Sequence, residues 1–309
     1  MSFAMVFPGQ GSQSVNMMNA FGGSGIIKTC FDEASEALGE NLWQMVCEGS
    51  ADELAQTVNT QPLMLTAGVS VWRLWQSIGG KKPAIMAGHS LGEYSALVAA
   101  GVLDFADAVS LVRLRAKAMQ EAVPAGTGAM AAVLNLSDDL ITAACVEAAQ
   151  GECVQAVNFN ASGQTVIAGH KGAVERAAEL CKAKGAKRAL LLPVSAPFHS
   201  ALMQPAAEKL AIKLKDVKIS APTIPVLNNV DVLVETDSER IRDALVRQAY
   251  SPVRWVETIQ KISGMGCLTV AECGPGKVLA GLTKRCVEGV ASVAFADLAS
   301  MESALATLE

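Results

Sequence analysis

Apolar positions in this chain recur in two rhythms, short unbroken runs and longer stretches with a three-to-four-residue period. Phe3 to Phe7 is a short apolar run that predicts a buried strand, stopped by Pro8-Gly9-Gln10-Gly11-Ser12-Gln13. Residues 28–80 read as mostly helical, with the clearest period in Leu63 to Ile78. Ala84 to Ala87 is again strand-like, breaks at Gly88-His89-Ser90-Leu91-Gly92, and passes directly into a helix-forming segment. A second helix is expected over Phe105 to Ala122. There Phe105, Ala108, Val109, Val112, Ala116 and Met119 form one apolar stripe, with Ser110, Arg113, Lys117 and Glu121 opposite.

The rhythm changes at Pro124-Ala125-Gly126-Thr127-Gly128. The pattern then predicts strand Ala129 to Leu136, a helix from Ser137 to Gln150, and strands Cys153 to Asn158 and Gln164 to Ala168. Helix Lys171 to Lys184, closed by Gly185, and strand Lys187 to Val194 follow. This β-α-β-β-α-β order is ferredoxin-like, so residues 127–195 read as a small inserted subdomain that rejoins the main unit near Ser195. After it come an amphipathic helix, strand Ile224 to Leu227, and helices Ser238 to Ala249 and Trp255 to Ile262. Strand Leu268 to Ala271 leads to Gly274-Pro275-Gly276-Lys277 and a further helix. Residues 1–126 and 196–309 therefore form an α/β domain with a mostly parallel sheet.

Three positions in this frame invite chemistry. Strand, abrupt turn and helix around Gly-x-Ser-x-Gly describe a nucleophile elbow presenting Ser90 at a helix N-terminus, where developing negative charge is favoured. The pattern arises by chance in roughly one chain in ten of this length, so a plain βα turn with a serine cap stays open. Arg115 falls on the apolar side of its helix, unlike Arg113, and an inward guanidinium needs an anion. Spacing alone favours a structural carboxylate over a ligand. His199, after Pro197-Phe198 at the junction of the two units, is placed to face a cleft, although a lone histidine is more often a surface or core residue. His89 reads as packing inside the elbow, and His170 lies on the insert. The loop 8–13 could be a turn or could lay N–H groups against a ligand; it lacks the Gly-Lys-Ser/Thr ending of a Walker loop.

Composition narrows the field. The 309 residues are 51% hydrophobic and 5% aromatic, enough for a large aliphatic core. A net charge of −5 argues against nucleic acid as a partner. The start of the chain lacks a signal peptide's basic, long-apolar pattern, and no apolar run reaches the ~20 residues of a membrane span. Eight scattered cysteines without a Cys-x-x-Cys read as reduced thiols of a cytoplasmic protein. With three histidines and no zinc or EF-hand spacing, no metal is expected.

Five separated segments together resemble one family, the malonyl-CoA:acyl carrier protein transacylases of bacterial fatty acid synthesis. They are Phe7 to Gln13, Gly88 to Ser95, Asn158-Phe159-Asn160 with Gln164 to Gly169, Pro197-Phe198-His199-Ser200, and Gly274-Pro275-Gly276. Phe198 departs from the serine that some bacterial members carry there, and resembles the malonyl-selective acyltransferase domains of polyketide synthases. The resemblance implies an α/β-hydrolase-like catalytic domain. It makes Ser90 the nucleophile, His199 the general base, and the backbone N–H groups of Gln10 and Leu91 the oxyanion hole. Arg115 would bind the free malonyl carboxylate, and the main-chain carbonyl of Gln248 would orient the histidine. The reaction so implied is ping-pong malonyl transfer from malonyl-CoA to the pantetheine thiol of acyl carrier protein, by a monomer without cofactor.

Other readings remain to be separated. A serine esterase or thioesterase shares the elbow, but places an acid between serine and histidine in sequence. A detached polyketide-type acyltransferase differs only in its carrier, and a non-catalytic carrier-binding module would have a decayed site. An acidic carrier protein needs a basic patch, for which Lys182, Lys184, Lys187 and Arg188, or Lys277, Lys284 and Arg285, are the candidates.

Overall fold

The computed structural model describes residues 2–21, 23–194 and 196–308. Strand β1 (Phe3–Phe7) opens the chain and is followed by helices α1 (Gly25–Leu38), α2 (Leu42–Glu48), α3 (Ala51–Ala55) and α4 (Thr57–Ser77). Strand β2 (Ile85–Gly88) turns into α5 (Gly92–Ala99), and α6 (Phe105–Glu121) starts where the Asp104 side chain accepts from the N–H groups of Ala106 and Asp107. The middle of the chain is β3 (Gly128–Leu134), α7 (Asp138–Ala149), β4 (Val154–Ala161), β5 (Gln164–His170), α8 (Lys171–Ala183) and β6 (Arg188–Leu191). The remainder is α9 (Gln204–Leu214), β7 (Val226–Leu227), α10 (Ser238–Gln248), α11 (Trp255–Gly264), β8 (Thr269–Cys273), α12 (Val278–Cys286), β9 (Ala291–Phe295) and α13 (Leu298–Leu305).

These elements build a mixed α/β fold on two sheets. The first is parallel, in the order β7-β2-β1-β8-β9, with Val6 opposite Ala87 and Phe7 opposite Gly88. Every residue of β1 is buried, because both faces of the sheet are covered. Phe3, Met5 and Phe7 point into a core with α1, α4, α5 and α6, where Trp75 stacks on Phe295 at 4.6 Å. Ala4 and Val6 point the other way, against Trp255, Ile259 and Leu279. The second sheet is antiparallel, in the order β4-β5-β3-β6. Its outer face packs on α7 and α8 through Ala131, Ile167, Ile141 and Val174. Its inner face carries Met130 and Val166, which meet Met119, Phe198 and Met203. Val253 also bridges to Asn158, so the loop after α10 is hydrogen-bonded to β4.

Strand β9 and helix α13 are additions to the pattern expected from sequence. β6 stops at Leu191, short of Val194, and β7 keeps only two residues of the expected run. The return point near Ser195 lies outside the described residues. Arg113 requires a correction. Instead of lining a solvated stripe it is 9% exposed, and its guanidinium bonds Glu40 at 2.6 Å. Helix α6 is packed against α1 and α4 on one side and α9 on another, so a position opposite the main apolar stripe is still interior.

Candidate active site

The turn between β2 and α5 is too tight for side chains at its glycines. A Cβ on Gly88 would lie 1.9 Å from the carbonyl carbon of Gly92, and one on Gly92 would lie 2.0 Å from the Phe7 carbonyl oxygen. Ser90, between them, takes φ 52°, a left-handed conformation unfavourable for any residue with a Cβ. Its backbone N–H donates to Asn229 Oδ1 at 2.7 Å. The loop after β1 packs against this turn: a Cβ on Gly9 would meet the His89 carbonyl oxygen at 2.5 Å and stand 3.7 Å from the Leu91 nitrogen. Among the described residues the N–H groups of Gln10 and Leu91 find no acceptor, and both residues line the same cavity.

That cavity, about 380 Å³, lies at the seam of the two sheets. Its apolar wall is formed by Met119, Met130, Val166, Leu192 and Phe198, and its polar side by Gln10, Gln61, Ser90, Arg115 and His199. His199 is 4% exposed and sits 2.7 Å from the Ser90 Oγ through Nε2. Its Nδ1 is 2.9 Å from the Gln248 carbonyl oxygen, which can only accept. Nδ1 therefore carries the proton, and Nε2 is the free base facing the hydroxyl. Burial, then the Arg115 charge, lower its pKa to about 3, so the ring is neutral at physiological pH.

Arg115 is 2% exposed and is held by neutral acceptors only: Gln61 Oε1 at 2.8 Å, Gln248 Oε1 at 2.9 Å and Ser90 Oγ at 3.2 Å. Its guanidinium lies 5.4 Å from the Tyr94 ring centroid, and its Nε has no partner. Among the described residues no carboxylate reaches ion-pair distance of it. The structural carboxylate that spacing favoured is thus missing, and a buried cation faces a cavity large enough for a ligand.

The structure thus brings Ser90, His199, Arg115, Gln10, Leu91 and Gln248 into one place. His89 packs as expected, with Nε2 2.8 Å from Asn160 Oδ1, and His170, at the end of β5, accepts the Cys153 N–H. Gln61, Asn229, Glu93 and the side chain of Gln248 were missed. The only sequence signal for Gln61 is its place among Asn59 and Thr60, polar residues opening an otherwise apolar helix. Two of the basic candidates are neutralised, since Lys182 pairs with Glu179 and Lys184 with Glu147. Arg285 reaches Gln164 and Ser162 in the β4–β5 turn, and the Gly274–Gly276 loop packs on Pro8 and Ser12. All eight cysteines are unpaired. Among the described residues no cluster of His, Cys, Asp and Glu is placed to hold a metal, and no helix is long and apolar enough to cross a membrane.

Comparison with known proteins agrees along the whole chain. Residues 4–304 match the acyl transferase domain family. The chain is 58% identical to the malonyl CoA-acyl carrier protein transacylase of Salmonella typhimurium over 98% of both sequences. It is 46% identical to that of Bacillus subtilis, over 99% of this chain and 97% of the relative. Among solved structures, an acyl carrier protein S-malonyltransferase from Vibrio cholerae is 56% identical and superposes with a TM-score of 0.96 over 98% of this chain and 100% of that one. A malonyl-transacylase solved in complex with its holo type II PKS acyl-carrier protein is 54% identical, with a TM-score of 0.98 over 99% and 100%.

Proposed function

The chain belongs to the acyl transferase family, among the malonyl CoA-acyl carrier protein transacylases, and from that premise we propose how its residues divide the work. The protein is an acyltransferase that moves the malonyl group from malonyl-CoA to the pantetheine thiol of acyl carrier protein for fatty acid synthesis. Ser90 Oγ attacks the thioester carbonyl while His199 Nε2 takes its proton. The tetrahedral oxyanion is held by the N–H groups of Gln10 and Leu91, each worth about 3 kcal/mol. Collapse expels the CoA thiolate, which takes the proton back from His199 and leaves a malonyl ester on Ser90. The carrier's thiol then enters, gives its proton to His199, and its sulfur displaces Ser90 from the ester by the same route reversed. Arg115 holds the malonyl carboxylate bidentately, and no cofactor is required.

The observation that carries this reading is the chain Ser90–His199–Gln248 carbonyl beside a buried arginine with no carboxylate of its own. It also argues against the esterase rival, since a neutral carbonyl stands where a triad acid would be. Incubation with malonyl-CoA alone should add one malonyl mass, and Ser90→Ala should abolish it. An undiminished adduct in that variant would refute the assignment.

Finer points belong to the same proposal. The order β4-β5-β3-β6 with both helices on one face supports a ferredoxin-like insert at 127–195 in an α/β-hydrolase-like unit of 1–126 and 196–309. Eight unpaired thiols support a cytoplasmic setting. For carrier docking we favour Lys277, Lys284 and Arg285, which follow the Gly274–Gly276 loop packed on Pro8 and Ser12, over the insert's cluster, where Lys182 and Lys184 are ion-paired. The solved relative bound to a PKS carrier favours testing polyketide-type carriers as second acceptors.

A further inference from the structure

Ser90 is held at both ends of its own backbone by side chains distant in sequence. Its N–H donates to Asn229 Oδ1 at 2.7 Å, and its C=O accepts from Gln248 Nε2 at 3.0 Å. Asn229 also ties down the preceding strand end, donating from Nδ2 to the Gly88 carbonyl at 2.7 Å. Both amides converge on one group. Glu93 Oε2 accepts from the Asn229 backbone N–H at 2.9 Å and from Gln248 Nε2 at 2.9 Å. Glu93 is 2% exposed, and Asn229 and Gln248 are fully buried.

We propose that Glu93 is a positioning residue that braces Asn229 and Gln248, and through them keeps Ser90 in its left-handed conformation and Gln248 Oε1 turned to Arg115. The proposal rests on the reading of Ser90 as the acylated nucleophile. Two physical points carry it. A non-glycine residue at φ 52° persists only when its surroundings over-determine it, and here both of its backbone polar groups are fixed. A side-chain amide can flip by half a turn, exchanging donor and acceptor. With Nε2 held by two acceptors, Glu93 Oε2 and the Ser90 carbonyl, only Oε1 is left to face the guanidinium, 2.9 Å away. A flipped amide would set an NH₂ group against Arg115. The same carboxylate thus governs the nucleophile's backbone and the support of the substrate-binding cation.

The test uses two rates measured per folded enzyme: single-turnover acylation by malonyl-CoA, and labelling of Ser90 by a small fluorophosphonate that has no carboxylate. Glu93→Met matches the side chain's length without an acceptor and should slow both by at least ~10-fold, the scale of small misplacements at a reacting atom. Glu93→Gln keeps one oxygen able to accept both bonds and should recover both rates to within about threefold of the parent. A merely structural glutamate predicts a lower Tm for Glu93→Met with both rates at the parent level, and that result overturns the proposal. If Glu93→Met yields no folded protein, Glu93→Asp, which draws the acceptor back by one methylene, takes its place; both rates slowed ~10-fold support the brace, and both rates at the parent level overturn it. Should the parent react with fluorophosphonate but take no malonyl from malonyl-CoA, the functional reading fails while the brace is still judged by the labelling rates.

Discussion

Replacing Arg115 separates its two possible employments, and the structure sets the size of each. The guanidinium is 2% exposed, is bonded to two neutral amide oxygens and the Ser90 hydroxyl, and meets no carboxylate at ion-pair distance. A malonyl carboxylate arriving in the cavity would supply the missing counter-charge through two parallel N–H···O bonds. Removing one partner of such a buried pair costs about 3 kcal/mol, roughly 150-fold in kcat/KM. Acetyl-CoA has no carboxylate to lose, and opposite it the cation stands unpaired. The 3.2 Å contact to Ser90 Oγ and the charge that helps keep His199 unprotonated are shared with acetyl chemistry. Above the ordinary histidine pKa the second matters little, so at about pH 7.5 acetyl transfer should stay within about threefold or improve. Arg115→Ala should therefore narrow or invert the malonyl preference. Arg115→Lys should rescue poorly, because a point charge lacks the planar fork.

The stability side has the opposite sign from the usual expectation. A desolvated cation with no carboxylate in direct contact destabilises the fold, so Arg115→Met, which fills the space without charge, should hold or raise the Tm. The assay is kcat/KM for both acyl-CoAs beside a thermal melt. Lys117→Ala, exposed on the same helix, is the control; Arg113, ion-paired with Glu40, is unsuitable. A proportional loss of both activities with a large drop in Tm would make Arg115 a core support and refute the selectivity argument.

His199 should remain an unprotonated base far below the ordinary histidine range, since burial and Arg115 hold its pKa at about 3. Single-turnover acylation per folded enzyme should thus stay level from pH 7 to about pH 5; a half-loss near pH 6.5 would contradict this environment. Stability should follow two opposed linkages. His199, lowered from 6.5, contributes stability that is present above pH 6.5 and lost as pH falls toward 3, while Glu93, raised from 4.5 to about 7, contributes stability present below 4.5 and lost as pH rises through 7. Between pH 4.5 and 6.5 the two offset, so Glu93→Gln should leave the His199 linkage unopposed, seen as a Tm that climbs more steeply with pH than the parent's. An unchanged Tm profile would contradict it. Reversing the charge of Lys284 and Arg285 should raise KM for carrier protein in a salt-dependent manner and leave KM for malonyl-CoA alone; equal effects on both would remove the docking reading.

The parts of the site legible in sequence are those written in neighbouring residues. The elbow announces itself because two glycines, a strand and a helix are consecutive, and the close approaches at Gly88 and Gly92 are their physical cause. The inward face of Arg115 follows from the helical period of α6. The same period misplaces Arg113, because a helix covered on several sides has no solvated stripe, and its partner Glu40 lies 73 positions away. Strand β9 escapes notice for a related reason: Ala291 to Phe295 is half-buried at a sheet edge and shows no clear alternation.

The deeper layer is illegible on principle. Gln248 acts through a main-chain carbonyl on His199, and every residue type carries that atom, so no residue choice reports it; only the family resemblance pointed there. Its side chain reaches Arg115, Ser90 and Glu93 across 133 to 158 positions of chain, distances at which no periodicity operates. Glu93 is instructive in the other direction. It follows Ser90 by three residues at the start of α5, where an acidic side chain is ordinarily explained by the helix dipole. In the fold it is turned inward, onto Asn229 and Gln248. A carboxylate in the first turn of a helix thus has two readings that the sequence cannot separate, a solvated partner of the dipole or a buried acceptor. What separates them here is burial, and burial is decided by elements that close over α5 more than a hundred residues later.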